Sequence, residues 1–272
     1  MGSAIGLGFV FGPAIGGLLF RPELPELPFL VSAGVAGINW VMALLWLPES
    51  RRPAPAPAAS EAVPVARSRA IAALLGGRSG STPSVSKVLW GTPLGFIVLV
   101  NLCFFFAFSS MESTYALLLE AVLGWGAQET GAVFALLGVV IFVTQGILVG
   151  RLVGRMGERN TLLVSMSILF VAFCILGLMS VAWLAVVGSA LLACGNGLTT
   201  PSINALISRA SQAGDQGFNM GLASSAASLG RIVGPATAGI AFERVGPGVP
   251  MLVSAAVVAM AALVVVRRVR VP

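Results

Sequence analysis

The chain has 272 residues, of which 57% are hydrophobic and 10% charged, with a mean hydropathy of +0.97 and a formal net charge of +6. Such a composition excludes an ordinary soluble domain and describes an all-α, polytopic membrane protein. Histidine is absent, which removes the commonest metal ligand and general base; with neither HExxH nor CxxC present, a metal site, a resident cofactor and an enzymatic role are not expected.

A bilayer-crossing helix needs about 20 mainly apolar residues. Eight runs qualify, at residues 2–20, 28–47, 93–118, 128–150, 160–180, 182–207, 217–242 and 248–266. The first has no Lys or Arg before Arg21, so it reads as a mature helix rather than a leader. It carries "GFVFGPAIGG", residues 8–17, in which Gly8, Gly12 and Gly16 form a stripe four apart and Pro13 crowds the carbonyl of Phe9.

Residues 49–90 form a Pro/Ala/Ser/Arg-rich segment with little to build a core from, expected as a central loop. It divides residues 1–48, two helices of one half, from residues 91–272, a six-helix bundle. Short cytoplasmic loops retain basic residues. With both termini cytoplasmic, the inner side holds Arg51, Arg52, Arg67, Arg69, Arg78, Lys87, Arg151, Arg155, Arg159, Arg209, Arg267, Arg268 and Arg270, thirteen of the sixteen basic residues. The positive charge is therefore a topology signal, and nucleic-acid binding is not expected. Cys103, Cys174 and Cys194 all lie in apolar runs and read as small buried thiols.

In the third run, Asn101, Phe105, Phe108, Glu112 and Tyr115 are spaced 4, 3, 4 and 3 residues apart, which sets them on one helical face. Such a stripe suits the wall of a cavity for an amphipathic or cationic organic molecule. Glu112 is read either as a proton or substrate-cation site or as an interfacial residue near the outer end of the helix, because an ionisable group inside the bilayer is costly. The fourth run holds Gln145 and a second stripe, Gly146, Gly150 and Gly154, read as packing. Gln145, Asn196, Asn204 and Asn219 are expected mainly to bond between helices.

The seventh run contains "GRIVGPATAG", residues 230–239, which repeats the G-x-x-x-G-P-x-x-x-G pattern of residues 8–17 at a separation of 222. Gly230, Gly234, Pro235 and Gly239 thus mirror Gly8, Gly12, Pro13 and Gly17, with Gly16 beside them. Pro235 loosens the helix at the carbonyl of Arg231, and both copies are read as packing surfaces or pivots. Arg231 has three readings: pairing with Glu112, bonding to carbonyls near the break, or snorkelling towards water. Paired weak symmetry is typical of transporters built from twin bundles.

With these motifs the chain resembles the major facilitator superfamily, in the branch of drug:proton antiporters that includes tetracycline exporters. Gly8, Gly12, Pro13, Gly16 and Gly17 match the antiporter motif of that family's fifth helix. "GRLVGRMGER", residues 150–159, matches its loop motif in Gly150, Arg155, Gly157 and Arg159, with Gly154 where an acid is usual and Glu158 where a base is usual. The resemblance implies helices five to twelve of a twelve-helix fold, the first four being absent from the front. It also implies proton-driven alternating access in the inner membrane, with lipid, protons and a small organic substrate as partners, and with a missing N-terminal segment or a second chain completing the cleft. A non-transporting membrane remnant or interaction partner, and a nutrient symporter of the same superfamily, are the alternative readings.

Overall fold

The computed structural model describes residues 23–24, 26–46, 92–211 and 215–269, with positions 16 and 19 besides. The first apolar run and the central loop lie outside the described residues, apart from those two positions. Within the described residues all regular structure is helical: α1 (Leu27–Trp46), α2 (Pro93–Leu123), α3 (Ala127–Val143), a π-helical turn at Thr144–Leu148, α4 (Val149–Gly177), α5 (Ala182–Ala210), α6 (Gln216–Arg244) and α7 (Val249–Arg268).

Local chemistry fixes the helix ends. Thr92 caps α2 by accepting a hydrogen bond from the Gly95 amide at 3.0 Å, and Pro93 occupies the first turn, where no amide partner is required. At the other end Gly124 adopts φ 68° and donates to the carbonyl of Glu120 at 2.9 Å, a left-handed cap that glycine takes without strain. The π turn joins α3 to α4 with no change of direction. The reversal comes at Gly157, with φ 77° and ψ 167°, and this one residue separates the runs expected at 128–150 and 160–180.

Helices α2 to α7 pack into one bundle in the order α6, α2, α7, α4, α5, α3, with α2 also touching α5 and α6 touching α7 and α5. Small residues set the approach distances. A methyl group on Gly195 would stand 2.6 Å from Leu169, and one on Gly188 2.6 Å from Leu176, so α4 and α5 meet along a seam seven residues apart. The same seam holds a buried hydrogen bond from Thr199 Oγ1 to Ser165 Oγ at 2.8 Å. Large apolar side chains such as Trp183, Leu229 and Ile232 point outward, as expected where the outer surface meets lipid rather than water. No residue of α1 is buried.

Five helical stretches among the described residues are long and apolar enough to cross a membrane: α1, α2, α3 through α4 taken together, α5 and α7. Helix α6 has the length but not the hydropathy, because Asn219, Ser224, Ser225, Ser228 and Arg231 interrupt it. Its polar residues are the key to the site described next.

Basic residues gather at one end of the bundle. Arg159 reaches the C-terminus of α7, Arg209 pairs with Glu158, and the Arg268 guanidinium lies 5.6 Å from the centre of the Phe96 ring at the start of α2. Three of the arginines expected on one side of the membrane, Arg159, Arg209 and Arg268, thus share one end of the fold.

Candidate functional site

A cavity of about 260 Å³ opens between α2, α5 and α6. Helix α6 supplies one wall through Met220, Ala223, Ser224, Ala227, Ser228 and Arg231, residues three or four apart that form a single face. Asn101 and Phe105 of α2 and Thr200 and Asn204 of α5 close the other sides. Among the described residues the lining mixes five polar neutral side chains with four apolar ones, and it has one cation and no carboxylate.

Close contact between α2 and α6 holds this wall in place. A methyl group on Gly230 would lie 2.7 Å from the Leu102 carbonyl oxygen, and one on Gly234 2.6 Å from that of Phe106. Backbone therefore faces backbone along the Gly230–Gly234 stripe. Pro235, inside α6, has no amide to give to the Arg231 carbonyl. The Ser109 hydroxyl of α2 donates to that carbonyl instead, at 3.3 Å. Gly239, the last glycine of the motif, has no atom within 4 Å of a would-be methyl group. The first copy of the motif can be followed only at Gly16, which is equally open; Gly8, Gly12, Pro13 and Gly17 lie outside the described residues.

Arg231 is exposed to the cavity, and its guanidinium carbon stands 4.6 Å from the centre of the Phe105 ring. That face attraction anchors the side chain while leaving its N–H donors for another partner. Arg231 and Glu112 form no ion pair; among the described residues the only one joins Arg209 and Glu158. Of the five-residue stripe on α2, the structure brings Asn101 and Phe105 to the cavity and takes the other three elsewhere. The Asn101 amide donates to the Ala223 carbonyl at 2.9 Å, fixing α2 to α6. The Phe108 ring stacks near Phe104, with centroids 6.1 Å apart. Glu112 is exposed, and seven residues beyond Phe105 it lies roughly 10 Å farther along the helix. Tyr115 is 1% exposed, bonds through its hydroxyl to Ser189 and meets the Phe134 ring edge to face at 5.9 Å. It belongs to the core, not to a cavity wall.

The remaining polar candidates divide in the same way. Asn219 donates to Ser211 Oγ at 2.9 Å across the turn between α5 and α6. Asn204 borders the cavity, although bonding between helices was the role expected of it. Gln145 lies in the π turn, and its Oε1 is the one buried side-chain polar atom without a partner among the described residues. Thr200, Ser224 and Ser228 were missed by sequence reasoning, although the three-and-four spacing of the α6 residues was a usable signal.

The loop motif does electrostatic and capping work. Gly157 makes the turn, Glu158 pairs with Arg209 at 2.6 Å, and Arg159 donates to the carbonyls of Val269 at 2.6 Å, Val266 at 3.0 Å and Val265 at 3.4 Å. A cation thereby meets the negative end of α7. Arg155 is exposed, and methyl groups on Gly146, Gly150 or Gly154 would touch nothing within 4 Å. The close packing expected of that stripe is absent among the described residues.

Comparison with known proteins agrees with this architecture. The Major Facilitator Superfamily profile matches residues 1–235 and 146–272. The chain is 26% identical over 244 residues to the class C tetracycline resistance protein of Escherichia coli, covering 86% of this chain and 55% of that protein. It is likewise 26% identical over 248 residues to multidrug resistance protein 1 of Bacillus subtilis strain 168, covering 89% of this chain and 57% of that protein. The chain thus spans about half the length of these curated relatives. Among solved structures, the human organic anion transporter MFSD10 (TETRAN) superposes with a TM-score of 0.70 at 23% identity, over 97% of this chain and 62% of that one. Fold and profile agree: the chain belongs to the Major Facilitator Superfamily.

Proposed function

We propose that this chain supplies the eight spans equivalent to helices five to twelve of a carrier that exports small organic molecules across the inner membrane by alternating access. The observation that carries this reading is the cavity between α2, α5 and α6, where five polar side chains and an arginine line a space that no structural requirement of a lipid-embedded bundle explains. Similarity to tetracycline and multidrug resistance proteins supports export as the direction. A facing bundle, from a longer polypeptide or a second chain, supplies the opposite wall. Ligand binding in the cleft then biases the rocking of one bundle against the other.

In this reading the arginine-rich end of the bundle, with both termini, faces the cytoplasm, and the segment at 49–90 links the halves on that side. Protons drive the cycle. Glu112 is the acid placed well inside a membrane-crossing helix, exposed on the flank of α2, and we assign the proton to it. The Pro235 break, clamped by Ser109 and flanked by Gly230 and Gly234, is the pivot.

Everted membrane vesicles test the proposal directly. With an imposed proton gradient, vesicles bearing the protein should accumulate a fluorescent drug-like substrate, and a protonophore should abolish the accumulation. Failure to move any of a broad compound panel under either condition would remove the carrier reading.

A further inference from the structure

We infer that the cavity between α2, α5 and α6 selects organic anions, with Arg231 receiving a carboxylate or sulfonate group. The inference rests on the carrier reading for its physiological setting, but the binding chemistry follows from the cavity itself. Among the described residues Arg231 is the sole charged side chain on the wall, and no Asp or Glu borders the space to neutralise it. The ion pair that the described residues do form, between Arg209 and Glu158 at the arginine-rich end, involves no residue of the lining.

The geometry prepares the guanidinium for an anion. Its contact with the Phe105 face at 4.6 Å uses the π cloud and no N–H donor, so the planar fork keeps its capacity for a two-oxygen acceptor. The backbone beneath it is immobilised twice: Gly230 closes on α2, and Ser109 holds the Arg231 carbonyl. A cation so fixed between helices attracts a counter-charge more strongly than one free in water.

The rest of the wall selects the size and nature of the ligand. Ser228 donates its hydroxyl hydrogen to the Ser224 carbonyl, and the Asn101 amide is committed to Ala223, so these groups stiffen the wall. Thr200 and Asn204 stand on the opposite side, where they serve a second polar substituent. At about 260 Å³ the space lies just under the usual range of roughly 300–1,000 Å³ for small-molecule pockets, which suits an aromatic acid of one or two rings, its ring edge facing Phe105 and Met220. A lipophilic cation, the ligand that the aromatic stripe of α2 suggests on its own, would meet Arg231 head on.

The test uses the full chain in neutral-lipid nanodiscs and three naphthalene probes of matched size: the 2-sulfonate, the 2-methanol and the 2-methylammonium. Equilibrium binding should favour the sulfonate by about tenfold or more, in line with a charge-assisted hydrogen bond. Arg231→Gln should remove that preference while leaving the neutral probe unaffected, and Arg231→Lys should restore part of it. Unchanged binding of the neutral probe by Arg231→Gln, together with retention of the preference in Gly239→Ala, whose added methyl group meets open space, guards against a folding artefact. Equal binding of anion and cation, binding of none of the three, or an anion preference that survives Arg231→Gln would each overturn the inference. Because binding in nanodiscs needs no gradient, anion binding without transport in vesicles would count against the carrier reading alone.

Discussion

The Ser109 hydroxyl and the Arg231 carbonyl stand 3.3 Å apart, and this carbonyl is the one that Pro235 leaves without its helical donor. A break in one helix is thus repaired by a side chain of its neighbour, as membrane helices require where water is not at hand. The residue that carries the cavity's charge and the residue that breaks the helix share one main-chain atom.

This relationship predicts a specific coupling. Ser109→Ala should lower stability by about 1 kcal/mol, the net worth of a part-buried hydrogen bond whose acceptor has no helical donor. In a Pro235→Ala background the amide returns, and the same Ser109→Ala change should cost little. A double-mutant cycle read by reversible unfolding in mixed micelles measures the difference. Additive effects would show that the Ser109 bond does not serve the break.

Within the glycine motif the structure separates positions that look alike in sequence. Gly230→Ala and Gly234→Ala each place a methyl carbon under 3 Å from α2 backbone, which cannot yield as a side-chain tip does. We expect a loss of about 1–3 kcal/mol or more for each, read as a fall in thermal midpoint in detergent. Gly239→Ala meets open space and should be tolerated.

At the arginine-rich end the two contacts of the loop motif should differ in weight. Arg209→Ala removes an ion pair whose arginine is 59% exposed, so a change within about 1 kcal/mol is expected. Arg159→Ala strips three carbonyl contacts from the end of α7, and a loss of about 1.5–3 kcal/mol follows from charge-assisted bonds at a helix C-terminus. Hydrogen exchange at residues 265–269 should rise in the second variant and not in the first.

Much of this architecture is legible in apolar run length, since lipid makes a helix the simplest way to satisfy a spanning backbone. The runs expected at 182–207 and 217–242 correspond to α5 and α6, three or fewer residues longer at either end. Helix α6 coincides with an expected apolar run, but its polar interruptions keep its hydropathy below that of the five candidate spans among the described residues. The face of α2 was read less well. Spacing by fours and threes keeps residues near one line but drifts by roughly 40° over the fourteen residues from Asn101 to Tyr115, and neighbours decide the rest. Asn101 and Phe105 meet α6, whereas Tyr115, farther along, meets α5 and α3. Glycine stripes mislead in the same way: Gly230 and Gly234 have a partner helix, while Gly146, Gly150 and Gly154 have none among the described residues. Spacing reveals a face, and only the fold reveals what covers it.

That distinction between Tyr115 and the cavity wall yields a contrasting pair of variants. Tyr115→Phe keeps the ring against Phe134 and removes only the hydroxyl shared with Ser189. Ser189 retains its bond to the Ala185 carbonyl at 2.7 Å, so the expected cost is about 1 kcal/mol of stability, with no change in affinity for any bound organic molecule. Asn204→Ala should behave in the opposite manner. The residue is exposed at the cavity edge, so its loss should leave the unfolding midpoint within about 0.5 kcal/mol while weakening the binding of ligands that carry a second polar group. Measuring unfolding and ligand binding on both variants settles the assignment, because a polar stripe forming one continuous wall would make the two proteins lose affinity together.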